Sequence, residues 1–198
     1  MQEKGKDNQF LAPNPVSLFF CCRNAKDGFS IEGGSTGTRL NNCIAVNNGL
    51  LTDEFDLWVE PGSEVGFVSD HNIFWNSTIQ VPIRYVGIKY ATLAGYNAVS
   101  GQDQHSIQAD ARFVNPAAGD FRLRPGSPAI DSGNSSAPYW PATDVAGQPR
   151  RDVPGIPNTG MGPVLYADRG TFEYQFAAPV ARLSVTPTTG TAPLVVTA

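Results

Sequence analysis

A short strand-like run recurs in this chain at a fixed spacing. Phe29-Ser30-Ile31-Glu32-Gly33 aligns with Leu57-Trp58-Val59-Glu60-Pro61 at an offset of 28 positions, 57 − 29. Leu40-Asn41-Asn42-Cys43-Ile44-Ala45-Val46-Asn47 aligns with Val68-Ser69-Asp70-His71-Asn72-Ile73-Phe74-Trp75-Asn76 at an offset of 28 to 29. A period in the twenties constrains the fold strongly, because a unit this short cannot bury its own apolar face and must stack on the next. Short strands joined by turns, coil upon coil, meet that need. Gly, Asn, Asp and Ser punctuate the β-like runs from residue 16 to residue 90, and no helical period competes there.

Strand alternation assigns faces to the repeat. With Phe29, Ile31, Leu57 and Val59 inward, Ser30 and Glu32 face outward, as do Asp56, Trp58 and Glu60. Neighbouring coils lie about 4.8 Å apart, so Glu32 and Glu60 become neighbours with Trp58 beside them. Stacked carboxylates repel, which leaves three outcomes: one keeps its proton, a cation sits between them, or an arginine neutralises them, Arg84 being the candidate. The first two suit carbohydrate chemistry, in which paired carboxylates act as acid and base or nucleophile. Glu32 and Glu60 are therefore the catalytic candidates. Trp58, Asp56 and Arg84 are the carbohydrate-binding candidates, since an exposed indole offers a flat apolar surface to a sugar ring. The alternative is a solvated face in which Arg84 balances the acids and a loop covers Trp58. Asn24, Asn47 and Asn76 each follow a strand-like run and are expected to stack at one turn position, satisfying buried amides.

Composition narrows the class. Charged residues make up 16% of the 198, against 20 Gly and 16 Pro, which disfavours a helical protein. A net charge of −4 without a Lys/Arg cluster argues against a nucleic-acid partner, and no apolar run is long enough to span a membrane. The three cysteines lack zinc spacing and read as small apolar residues. No metal ligand set is complete; Ca²⁺ is possible as a cofactor but unsupported. Asp103-Gln104-His105-Ser106 is too compact for a converging triad, and His105 is expected to hydrogen-bond within its own loop.

The stretch from Asp103-Gln104-His105-Ser106 through Asp110-Ala111-Arg112-Phe113-Val114 to Gly119-Asp120-Phe121-Arg122-Leu123-Arg124-Pro125-Gly126-Ser127-Pro128-Ala129-Ile130-Asp131-Ser132-Gly133 resembles the segment that closes right-handed parallel β-helices in secreted and cell-surface bacterial proteins. Asp144-Val145-Ala146-Gly147, Arg150 and Asp168-Arg169-Gly170-Thr171-Phe172-Glu173 extend a likeness to the choice-of-anchor Q region. Residues 179–196 resemble the opening strands of a PKD domain, an Ig-like sandwich of roughly 100 residues. Lys26-Asp27-Gly28-Phe29-Ser30 is similar to a coil of family 9 pectate lyases, whose acidic motif binds Ca²⁺. Of the three acids in that family's Asp-Asp-Gly-Phe-Asp motif only Asp27 is present, and Lys26 puts a positive charge where the metal needs a negative one, which speaks against that site here.

These resemblances imply an all-β protein. Residues 1–102 are expected to form the C-terminal coils of a right-handed parallel β-helix, 103–176 a loop-rich closing segment, and 177–198 a truncated Ig-like β-sandwich start. The polar Met1–Asp7 stretch is no secretory signal. Because 177–198 is far too short for the sandwich it resembles, the chain is expected to be a fragment of a longer protein whose signal peptide is missing from it. The implied function is extracellular or cell-surface association with polysaccharide, as a monomeric scaffold without a complete active site. The alternative is a polysaccharide lyase or glycosidase whose catalytic coils lie N-terminal to these residues.

Overall fold

The computed structural model describes residues 15–17, 20–49, 54–77 and 82–176. The expected sandwich start at 177–198 and the N-terminal stretch lie outside them. Ten short strands come first: β1 (Pro15–Ser17), β2 (Phe20–Cys22), β3 (Phe29–Ile31), β4 (Arg39–Asn41), β5 (Ile44–Val46), β6 (Leu57–Val59), β7 (Val68–Asp70), β8 (Ile73–Trp75), β9 (Ile83–Tyr85) and β10 (Ile88–Tyr90). Helix α1 (Leu93–Ser100), β11 (Phe113–Asn115) and β12 (Asp120–Leu123) follow. The described chain is thus predominantly β with a single α-helix, which is too short to cross a membrane.

Each passage of the chain adds one strand to each of three sheets. The orders are β1-β4-β7, β2-β5-β8 and β10-β9-β6-β3, and every pair is parallel except the β9–β10 hairpin. Phe29 pairs with Leu57 at the expected offset of 28. Leu40 pairs with Ser69, not Val68, and Ile44 with Ile73, so the second alignment holds at 29 throughout. The extra residue lies in the turn after β6, which is one longer than the turn after β3.

Two apolar clusters follow from this stacking. Phe29, Ile31, Leu40, Ala45, Leu57, Val59, Phe74 and Ile83 fill the space between the sheets. Ile44, Val46 and Ile73 point the other way, against Ala111, Phe113, Leu123, Ala129, Ile130 and Val153. All of β5 is consequently buried, on both faces, which explains why Ile44-Ala45-Val46 is a continuous apolar run.

The closing segment therefore does more than cover an end. From Ala111 onward it packs sideways on the β2-β5-β8 sheet. The end of the stack is covered by α1, whose Leu93 and Tyr96 join the inner cluster, and by residues 102–107. The latter lie along the last layer: Asp103 N–H donates to Ser69 O at 2.7 Å, Ile107 N–H to Asn72 O at 2.8 Å, and Ile107 bridges Ile73. The boundary expected at 102 and 103 so falls inside the cap. Thr92 caps α1, its side chain accepting from Gly95 N–H, and Gly101 ends it in the left-handed conformation at φ 69°.

Candidate functional site

The outer face of the β3-β6-β9-β10 sheet carries a file of side chains set by register. Ser30 pairs with Trp58, Trp58 with Arg84, and Arg84 with Lys89 across the hairpin. Arg84 thus lies beside Trp58 and not over Glu60, with its Cζ 5.8 Å from the Trp58 ring and 5.8 Å from the Phe55 ring. Lys89 Nζ is 5.4 Å from Phe55. Trp58 is half-buried, and its indole N–H, like Arg84 Nε, has no hydrogen-bond partner among the described residues.

Glu32 and Glu60 follow β3 and β6 at equivalent positions, each half-buried. Their carboxylates are used locally. Glu60 Oε2 accepts from Gly33 N–H at 2.7 Å, and Glu32 Oε1 from Ser30 Oγ at 3.1 Å. Glu60 so fastens the turn of the preceding layer.

Asp56 does not share this face. It is completely buried and accepts from Asn48 through both the backbone N–H, at 3.0 Å, and Nδ2, at 2.8 Å. Strand β6 begins only at Leu57, so alternation does not extend back to the turn residues Phe55 and Asp56. Burial raises the Asp56 carboxyl well above its ordinary value, against the hydrogen bonds from Asn48. Gly28 makes room for this arrangement: a Cβ there would stand 2.6 Å from Asp56 O and 2.7 Å from Asn48 Nδ2. Asn24, Asn47 and Asn76 do not form one stack; hydrogen bonds join Asn24 and Asn76 to Asn48 instead. Asn24 N–H donates to Asn48 Oδ1 at 3.1 Å and Asn76 Nδ2 to Asn48 O at 2.9 Å, while Asn47 takes a left-handed corner at φ 57°.

Asp27 accepts from Phe55 N–H at 2.6 Å, and burial pushes its carboxyl up to about 7. Cys43 is buried, its Sγ donating to Asn41 O at 3.1 Å, and Cys22 is half-buried; neither is in a disulfide, and burial raises Cys22 to about 11. The Cys21 side chain lies outside the described residues.

A second constellation was not visible in the sequence. His105 does not bond within its own loop. Its Nδ1 lies 2.7 Å from Asp70 Oδ2, and its N–H donates to Asp70 Oδ1 at 2.8 Å. His71 brings its Nδ1 to 3.2 Å from the same Oδ2, off the line of a hydrogen bond. The two rings stack with centroids 4.9 Å apart. His71 is buried, Asp70 half-buried and His105 exposed. Burial alone would raise Asp70, but the imidazoles of His71 and His105 and the His105 N–H together hold it below the usual carboxylate range. These three side chains could hold a metal ion.

Several polar residues of the closing-segment resemblance, Asp131, Asp168, Arg169 and Glu173 among them, are buried and hold backbone groups of distant segments. Arg169 donates from Nε to Ser132 O, from Nη1 to Asn72 O and from Nη2 to His105 O, at 2.8–2.9 Å. Asp168 accepts from the N–H of Asp131 and of Tyr174, and burial raises its carboxyl to about 8. Glu173 accepts from Arg150 Nη1 at 2.9 Å and from Arg151 N–H at 2.8 Å. Trp140 lies under the Arg150 guanidinium at 5.0 Å, as a pin for this segment. A cleft of about 550 Å³ between Trp75, Arg23, Arg112 and Arg124 is walled partly by structural groups, since Arg112 and Arg124 donate to Gly126 O and Val114 O.

Comparison of the chain with protein-family models, with curated proteins and with solved structures found no match.

Proposed function

We propose that this chain belongs to an extracellular or cell-surface protein of the right-handed parallel β-helix type, with a choice-of-anchor Q-like closing segment, and that it associates with polysaccharide as a scaffold. The observation that carries the binding reading is the file Trp58–Arg84–Lys89 on one outer sheet face. An indole edged by a guanidinium and an ammonium suits a carboxylate-bearing sugar, which offers a C–H face to the ring and an anion to the cations. Glu32, hydrogen-bonded to Ser30 Oγ, and Glu60, hydrogen-bonded to Gly33 N–H of the preceding layer, favour a scaffold over an acid/base pair.

A second reading, cleavage of the polysaccharide, draws on Asp27. A carboxyl raised to about 7 is suited to proton transfer near neutrality.

The deciding experiment measures binding and depolymerisation of a panel of neutral and acidic polysaccharides by the chain and its Trp58→Ala, Arg84→Ala and Glu32→Gln/Glu60→Gln variants. Acidic polymers are expected to bind, at least about tenfold more weakly without the indole, and no new reducing ends or unsaturated products should form. Cleavage lost in the glutamine variant would place the chemistry on these residues. Absence of any binding would remove the polysaccharide reading.

A further inference from the structure

The chain has two histidines, His71 and His105, 34 positions apart, and the fold brings both to one carboxylate. His71 adjoins Asp70 in sequence, and the fold brings His105 to them. Both imidazoles present the same nitrogen, Nδ1, to the same oxygen, Asp70 Oδ2. The donor atoms all lie within 4.8 Å of one another. His71 is 2% exposed, yet its Nδ1 has no hydrogen-bond partner among the described residues while aiming into the cluster.

We infer that Asp70, His71 and His105 bind one divalent first-row transition-metal ion through Oδ2 and the two Nδ1 atoms. Two imidazoles and a carboxylate are the ligand types that such ions take, zinc among them. Tetrahedral bonds of about 2.1 Å put donors roughly 3.4 Å apart, close to the 3.2 Å between His71 and Asp70. The 2.7 Å His105–Asp70 contact must open by less than an ångström, and the His105 ring, stacked on His71 in this structure, must turn its Nδ1 toward the ion; His105 is the exposed member with room to do so.

The surroundings are built to hold the ligands. Strand β7 carries Asp70, and the left-handed corner at φ 57° that follows it carries His71. The His105 N–H on Asp70 Oδ1 and the Arg169 bond to His105 O fix the third ligand's backbone, as outer partners do in metal sites. Both Asp70 and buried Asp103 lie close enough to the Arg169 guanidinium to act on its charge. Three protein donors leave a fourth position for water or a ligand oxygen on the exposed side.

Because the chain holds only these two imidazoles, their ring signals in ¹H–¹⁵N spectra report the site without overlap. Titration of the chain with Zn²⁺ is expected to shift both together, to saturate at one ion and to reverse with a chelator. Co²⁺ in its place should give visible bands of tetrahedral intensity. His105→Ala removes an exposed ring, and its circular dichroism checks folding; it should weaken binding at least about tenfold, and Asp70→Asn likewise. Imidazole signals unmoved in excess zinc overturn the inference. Undiminished binding by His105→Ala also overturns it, by assigning the ion to other donors such as the cysteines.

Discussion

Asn72 donates through Nδ2 to Oδ1 of Asp103 at 2.9 Å, with both residues sealed from solvent. The same amide group reaches Leu40 O and Ser69 Oγ, and Asn72 Oδ1 accepts from Cys43 N–H at 2.8 Å. One side chain so joins three levels: strand β4, its own layer, and the segment laid across the end.

Asn72→Ala leaves a buried N–H, a buried carbonyl and a buried carboxyl short of partners. A loss of about 3 kcal/mol in unfolding free energy is expected from denaturant titration. A change under 1 kcal/mol would show that water replaces the side chain.

Gly28→Ala tests the close approach of the Asp56 backbone. The new methyl meets a carbonyl oxygen at 2.6 Å, and backbone cannot step aside as a side-chain end can. Destabilisation of about 2–3 kcal/mol is expected, whereas Gly34→Ala meets open space and is governed only by its left-handed φ of 72°.

Asp27 sets a pH dependence whose sign is fixed by its raised pKa. The native carboxyl binds a proton that the unfolded one has released between pH 3.8 and about 7, so stability falls as pH rises through that window. Asp27→Asn keeps an acceptor for Phe55 N–H and abolishes the titration. At pH 8 the variant should be more stable by about 1–2 kcal/mol, a figure reduced for the partial exposure of the group. Parallel stability profiles for the two proteins would refute the assignment.

Arg169→Met removes three hydrogen bonds while keeping an apolar stem. The carbonyls of Asn72, His105 and Ser132 lose a charged donor, at an expected cost of about 3 kcal/mol or more. Limited proteolysis should then cut first within residues 131–176. Cleavage rates equal to those of the parent chain would show that the apolar contacts of Ile130 and Val153 suffice.

Sequence reading reached the repeat because the corner between β4 and β5 has the same length as that between β7 and β8: Arg39 to Ile44 and Val68 to Ile73 both span five positions. The apolar alternation of Phe29–Ile31 and Leu57–Val59 then fixed a face. Asp56 was misplaced because alternation stops where the strand does, and Asn24 pairs with Asn48 because the layers differ in turn length. The Asp70–His71–His105 cluster had no local signature, since residues 102–107 form an irregular partial layer whose register no repeat announces. Helix α1 had a signal in the Thr92 cap and Gly101 stop, masked by the weak patterning of its eight residues.

The Arg169 bonds also set an order of events during synthesis. Asn72 O, already met by Ile107 N–H, gains its second donor 97 positions further along the chain, and the Asn42 side chain meets Asn134 92 positions on. While the ribosome delivers that stretch, at about 5–20 residues per second, the β2-β5-β8 sheet has its strands but not its cover. Ile44, Val46 and Ile73 face water for several seconds in each nascent molecule. Their cover comes from residues 111–153, so slowing translation before residue 111 lengthens the exposure.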